Sequence, residues 1–262
     1  MKIVVCIKQV PDTTEIKINP ETNTLIREGV DSIINPFDMF AIEEGLRLRE
    51  KHGGQVIILT MGPPQAEAAL KEAVALGADE IFLVCDRACA GADTWATGYT
   101  LAKAIAKLGE IDLIICGKQA MDGDTGQVGP GVAEFLDLPF MPYVRKIESM
   151  DNGKIVAESM TEEGYDLLEA PLPSVITVVK EINTPRLPSL RGKMKAKKTE
   201  AQVWTAADLG CEEDCIGLSG SPTVVSKIFT PTPRSGGEML RGDNPSEIAD
   251  VLYGRLKEDG LI

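Results

Sequence analysis

The sequence is poor in several things. It has one histidine in 262 residues, His52, placed before Gly53-Gly54 at an expected helix end. A histidine-based catalytic triad and a histidine-built metal site are therefore disfavoured. It lacks cationic excess: 27 Lys and Arg stand against 40 Asp and Glu, a formal charge of −13. That argues against nonspecific binding to nucleic acid or to an anionic membrane. No apolar run approaches the length of a membrane span. The amino terminus has one lysine and a short strand-like run, unlike a signal peptide, so a cytoplasmic location is expected and membrane insertion is not. The tight CxxC spacing of most cysteine metal sites is missing too. Cys85/Cys89 and Cys211/Cys215 each enclose three residues, while Cys6 and Cys116 sit at strand ends, where thiols pack as small hydrophobes. Free thiols in a reducing compartment are expected, with no metal.

What is present is a rhythm of strand and helix. At 44% hydrophobic residues, the chain can form one large domain or two small ones. Lys2–Ile7, Gln55–Thr60, Ile81–Val84 and Leu113–Cys116 read as buried strands. Amphipathic segments lie between them. Asn35-Pro36-Phe37-Asp38 precedes a helix over Ala41–Glu50, with Ile42, Leu46 and Leu48 inward and Asp38 as its cap. Ala66–Leu76 and Thr94–Leu108 are the next two helices. Residues 15–30, with Asn19-Pro20 and Asn23, read as an excursion hairpin. The pattern predicts an α/β fold: an open, mainly parallel, Rossmann-like sheet with helices on both faces.

Ligands of such sheets sit at the carboxyl ends of the strands. Residues 6–10, 61–64 and 117–128 fall there, and 35–38 can reach the same edge. The longest of these loops joins a buried strand to the helical pattern Val132–Leu136. A strand, a glycine loop and a helix start together make an anion site. Gly123 and Gly126 allow close backbone approach. Asp124 or Thr125 is positioned to cap the helix. Asp122 and Asp124 would repel phosphate, so ribose hydroxyls or backbone donors are their expected partners. The spacing matches neither a P-loop nor GxGxxG. On this loop alone, nucleotide binding and a plain strand-to-helix turn both stand; four segments converging on one crevice favour the nucleotide.

After about residue 140 the pattern changes. Lys146–Met150 and Lys154–Ser159 flank Asp151-Asn152-Gly153, a hairpin turn signal. Pro173–Val179 is another strand, and these segments are expected to be antiparallel additions to the sheet. Residues 183–198 are rich in proline and then in cations, with apolar Leu190 and Met194 among them, which points to a docking surface. Residues 199–240 hold few strong elements and suit an arm lying on a partner. A helix over Pro245–Lys257 carries Ile248, Val251, Leu252 and Leu256 on one side. Residues 1–198 are thus expected to form the nucleotide-binding unit and 199–262 a C-terminal arm and helix on a partner subunit.

Several pieces, taken in order, resemble one family. They are Val5-Cys6-Ile7-Lys8, Asn35-Pro36-Phe37-Asp38, Gly117-Lys118-Gln119-Ala120-Met121-Asp122, and Leu187-Pro188-Ser189-Leu190-Arg191-Gly192-Lys193-Met194-Lys195-Ala196-Lys197-Lys198. Glu158–Thr177, with acidic residues before Leu172-Pro173, resembles the family's signature region. Over essentially its whole length the chain resembles the β subunit of an electron-transfer flavoprotein, a family with an adenine-nucleotide α-hydrolase-like fold.

The resemblance implies a heterodimer with an α subunit that carries FAD. It implies that Cys6, Lys8, Asn35, Pro36, Phe37, Asp38, Met61 and Gly62 contact a nucleotide. The same holds for Gly117, Lys118, Gln119, Ala120, Met121, Asp122, Gly123, Asp124, Thr125, Gly126, Gln127 and Val128. It implies that Leu187, Leu190, Arg191, Met194 and Lys195 dock a partner dehydrogenase, with the acyl-CoA type favoured. In the respiratory branch the β nucleotide is a structural AMP; in the bifurcating branch of anaerobes it is a second FAD reduced by NADH. Asp122-Gly123-Asp124-Thr125-Gly126-Gln127-Val128, Val10-Pro11-Asp12-Thr13 and Arg191-Gly192-Lys193 resemble the bifurcating branch more closely. That branch implies FAD, NADH as donor, and ferredoxin or flavodoxin as a second acceptor; AMP in the same site is the alternative. No side chain is expected to act as nucleophile or general acid. Met160 stands where the respiratory type has an acid that pairs with the α subunit, so that pairing is not expected here.

Overall fold

Uninterrupted runs of valine, isoleucine and leucine build the middle of one nine-stranded sheet. The structure, a computed structural model, describes residues 1–12, 18–19, 24–25, 32–226, 236–237, 239–242 and 244–262. In chain order the first half runs β1 (Lys2–Cys6), β2 (Gln9–Pro11), β3 (Ile18–Asn19), β4 (Thr24–Leu25), β5 (Ser32–Ile34), α1 (Pro36–His52), β6 (Gln55–Met61), α2 (Glu67–Leu76), β7 (Glu80–Val84), α3 (Thr94–Lys107) and β8 (Leu113–Gly117). The second half runs α4 (Val128–Leu136), β9 (Phe140–Asp151), β10 (Lys154–Met160), β11 (Tyr165–Pro171), β12 (Ser174–Val178), α5 (Leu190–Ala196), β13 (Gln202–Trp204) and α6 (Pro245–Glu258).

The sheet order is β11-β10-β9-β12-β8-β1-β6-β7-β13. From β9 to β13 every neighbouring pair is parallel. Only β10 and β11 run against their neighbours. The expectation of purely antiparallel additions is thus corrected for β12, which lies parallel between β8 and β9 with Ile176 opposite Ile115. Its five residues are all buried, as a central strand requires. The Asn152-Gly153 turn joins β9 to β10 with φ of 50° and 74°, as the dipeptide signalled. Of the excursion, only β3 and β4, an antiparallel pair, lie within the described residues; the rest of the expected 15–30 hairpin lies outside them. Residues 202–204 add β13 to the sheet edge beside β7, past the residue-198 limit expected for the α/β unit.

Alternate residues of each central strand face two cores. Ile3, Val5, Ile58 and Ile115 pack beneath α1 and α2; Val4, Ile57, Leu59 and Ile114 pack beneath α3, α4 and the segment holding Ala206, Leu209 and Ile216. Helices therefore cover both faces. The chain builds outward through β1, β6 and β7, then α3 returns it to β8 on the other side of β1. That reversal makes β1 and β8 the switch point, where the loops after two adjacent strands diverge and leave a crevice. Among the described residues, no helix is long and apolar enough to cross a membrane.

Candidate functional site at the switch point

Cys6 and Cys116 close the floor, paired in register at the ends of β1 and β8 and buried. Contact with the Cys6 thiol and burial push the Cys116 thiol well above the usual range, so it stays neutral. All six cysteines are free.

Above the thiols, α1 begins. Pro36 occupies the first helical position, as expected. The helix starts at residue 36 rather than 41, and Asp38 does not cap it. Asn35 holds the cap position, but its side chain makes no capping bond. Its Nδ2 instead donates to the Gln119 carbonyl at 2.8 Å, and its Oδ1 accepts from the Met121 amide at 3.1 Å. Asp38 is buried, accepts the Lys8 amide at 2.7 Å, and faces the Gly117 amide. Burial pushes the Asp38 pKa from the usual 3.8 up to about 7, against the amides of Lys8 and Gly117 and the Asn35 side chain, which pull it down. Two polar side chains at the start of α1 therefore tie the loops after β1 and β8 together from beneath.

Gly117 makes this possible. A methyl there would collide with the Asp38 carboxylate and stand 2.7 Å from the Phe37 carbonyl carbon and 2.9 Å from the Asp38 nitrogen. The loop that follows is exposed from Met121 to Thr125. Asp122 meets the Lys8 ammonium at 2.6 Å across the crevice mouth, and Asp124 takes the Gln119 side-chain amide. Among the described residues neither carboxylate accepts a backbone amide, which leaves ribose hydroxyls as the other expected partner. Gln9 Nε2 reaches the Gln65 carbonyl at 3.2 Å, linking the β1 loop to the segment after Met61 and Gly62. Gly126 has φ of 63°, the left-handed geometry glycine favours. Gly123 has open space around it. Helix α4 starts at Val128, four residues earlier than its apolar pattern showed. Gln127 precedes it without a side-chain cap, so neither Asp124 nor Thr125 serves as one. Among the described residues, the amides of Gly123, Thr125 and Gly126 donate to no protein acceptor. Unpaired loop amides ahead of the uncapped start of α4, beside open glycine space, suit an anionic group.

The family described as "Electron transfer flavoprotein domain" matches residues 22–209. An electron transfer flavoprotein subunit beta of Thermoanaerobacterium thermosaccharolyticum is 50% identical over 263 residues, covering the whole of both chains. The caffeyl-CoA reductase-Etf complex subunit CarD of Acetobacterium woodii is 47% identical, again over the whole of both. Protein FixA of Azotobacter vinelandii is 47% identical over 98% of this chain and 94% of its own. The chain belongs to the electron transfer flavoprotein family. Full-length relatives named as its subunit beta imply an α subunit as partner.

Within this electron transfer flavoprotein chain a second surface stands out. Leu187, Leu190 and Met194 are 89%, 79% and 59% exposed. After the prolines, Ser189 caps α5 by accepting the Gly192 amide at 2.9 Å. A side chain at Gly192 would run into the Ala75 carbonyl, so glycine lets α5 lie on the end of α2. Lys195 is exposed, with its ammonium donating to the Ala78 carbonyl at 2.8 Å. Arg191 is exposed. The base of the segment is fastened to α1. Arg186 binds Glu43 at 2.8 Å and Glu50 at 2.6 Å, and Asn183 binds Glu44 and the Phe40 carbonyl, each at 3.0 Å. The Arg186 and Arg47 guanidiniums hold the Glu43 carboxyl below its usual range despite burial. The sequence pattern marked the apolar tip of this segment; Arg186 and Asn183 carried no local signal, because their partners lie more than 130 residues away.

Proposed function

We propose that this chain holds FAD in the crevice between β1 and β8, with an FAD-bearing α subunit beside it. In this reading NADH donates, and the electrons divide between a dehydrogenase of the acyl-CoA type and a low-potential acceptor such as ferredoxin or flavodoxin. The observation that supports it best is the Gly117–Val128 loop, with open space at Gly123 and free amides at Gly123, Thr125 and Gly126. A second phosphate and a ring system need that space; AMP alone does not. Bound flavin would supply the hydride acceptance and single-electron transfer. The chain's own residues do the rest. Asn35 and Asp38 fix the loop, the free amides hold phosphate, and Lys8 and Lys118 offset its charge. Cys6 and Cys116, both buried, keep the floor dry. The Leu187–Lys195 segment, with Leu190 and Met194 at its tip and Arg191 at the rim, receives the dehydrogenase.

Acid extraction of the αβ protein is expected to yield two FAD per heterodimer. Gly123→Val should lower this to about one while leaving the unfolding temperature of the nucleotide-free protein unchanged, because nothing in the protein lies within 4 Å of the added Cβ. One FAD plus one AMP, from protein prepared with FAD in excess, would overturn the reading in favour of structural AMP.

A further inference from the structure

β9 passes beside the crevice and is irregular there. Its register against β12 shifts between Ile176 and Val178, and its register against β10 shifts between Glu158 and Ser159. Bulges of this kind re-aim side chains next to functional sites. The residue at this distortion is Tyr143, with φ of 49°. The other described non-glycine residues with positive φ are Asp124, Asp137 and Asn152, types that tolerate the left-handed region. A bulky aromatic residue rarely adopts it, and such outliers concentrate where a site needs a side chain in one place.

The surroundings hold Tyr143 in this conformation. Its amide donates to the buried Thr177 hydroxyl at 3.0 Å, and the neighbouring Pro142 carbonyl accepts the Ser159 hydroxyl at 2.7 Å. Yet the residue is 40% exposed, so the distortion is not explained by filling the core. Val144 pairs with Val178, which pairs with Gly117, so Tyr143 stands level with the start of the glycine loop, two strands from β8. Two strand spacings are about 9.6 Å. The Lys118 ammonium spans that gap and lies 5.4 Å from the ring centre. Among the described residues the Tyr143 hydroxyl bonds nothing.

We propose that Tyr143 is a further cofactor-binding residue, its ring packing against the isoalloxazine of a flavin nucleotide whose phosphates lie on the Gly117–Val128 loop. This rests on the flavin reading of the crevice and names the wall that receives the ring. AMP has no group that reaches Tyr143, so the residue separates flavin nucleotide from AMP, which Cys6, Asn35 and Asp38 do not.

The test uses the αβ heterodimer with its α-subunit FAD retained and the β-site nucleotide removed, titrated calorimetrically with FAD and with AMP. Tyr143→Asn suits the backbone geometry but lacks the ring; Tyr143→Phe keeps the ring. The Asn variant should bind FAD about tenfold more weakly, as expected for one lost stacking contact, with AMP affinity unchanged. The Phe variant should bind both nucleotides like wild type. Equal weakening of FAD and AMP by the Asn variant would show a damaged crevice and overturn the proposal, as would no change in either. Wild-type protein that binds AMP but not FAD would overturn the flavin reading itself, and the role of Tyr143 with it.

Discussion

Gly117→Ala is the sharpest probe of how the crevice is built. The added methyl meets backbone, which moves at higher cost than the end of a flexible side chain. Ordinary contact begins at 3.4 Å, and the Phe37 carbonyl carbon would lie at 2.7 Å, so the start of α1 must retreat by about 0.7 Å. The Asp38 carboxyl must turn away as well, loosening its bond to the Lys8 amide. Overpacking a site of this kind costs about 1–3 kcal/mol, and a disturbed hydrogen bond about 1 kcal/mol more. A total of roughly 2–4 kcal/mol corresponds, in a chain of this size, to a fall of about 4–16 °C in Tm. Calorimetric unfolding of the purified αβ protein, with the nucleotide content of the same sample, measures both consequences. Nucleotide content should fall together with Tm, because Asp38 and Asn35 hold the β1 and β8 loops from the same turn of helix. A Tm within about a degree of wild type, with full nucleotide, would refute the claim that Gly117 is there for space.

Two other expectations are independent of that one. The Asp38 carboxyl, raised by burial to about 7, stays protonated in the folded chain at pH values where the unfolded chain has already ionised. Its contribution to stability is therefore fully present below about pH 4 and is lost as pH rises to 7, by up to roughly 4 kcal/mol. The wild-type stability minus that of Asp38→Asn should fall across this window and flatten above it; a flat difference throughout would contradict a buried neutral acid. On the proposed docking role, Leu190→Ala removes an anchor contributing roughly 1.5–3 kcal/mol, so affinity for the dehydrogenase should drop about tenfold or more, with NADH reduction of the flavin unchanged. Equal losses in both assays would mean fold damage rather than lost docking.

The legibility of this chain follows the range of the interactions. β1, β6, β7 and β8 were readable because each is an apolar run buried on both sides, and the reversal between β7 and β8 then located the crevice. β12 shows the same buried run, but the hairpin ahead of it suggested an antiparallel meander, and only pairing with β8 reveals its direction. β11 carries no local signal: Tyr165–Pro171 is an edge strand, largely exposed, without the alternation of a half-buried one. The start of α4 is hidden in the sequence because Gly129, Pro130 and Gly131 look like loop, although proline is tolerated in a first helical turn. Asn35 and Asp38 were recognised as part of the crevice, but their work of joining two loops is long-range and invisible in local pattern. Tyr143 gave no signal at all, since nothing in Met141-Pro142-Tyr143-Val144 announces a positive φ.

Helix α1 touches both ends of the proposed activity. Its first turn carries Asn35 and Asp38 beside the crevice, and Glu43, Glu44 and Glu50 farther along grip Asn183 and Arg186 at the root of the exposed leucine segment. Seventeen residues of helix make a rod about 25 Å long. With both attachments on one rod, the chain works as a ruler. A protein seated on Leu190 is held at a separation from the crevice that this subunit cannot change, and any narrowing of that gap falls to the α subunit or to the seated protein.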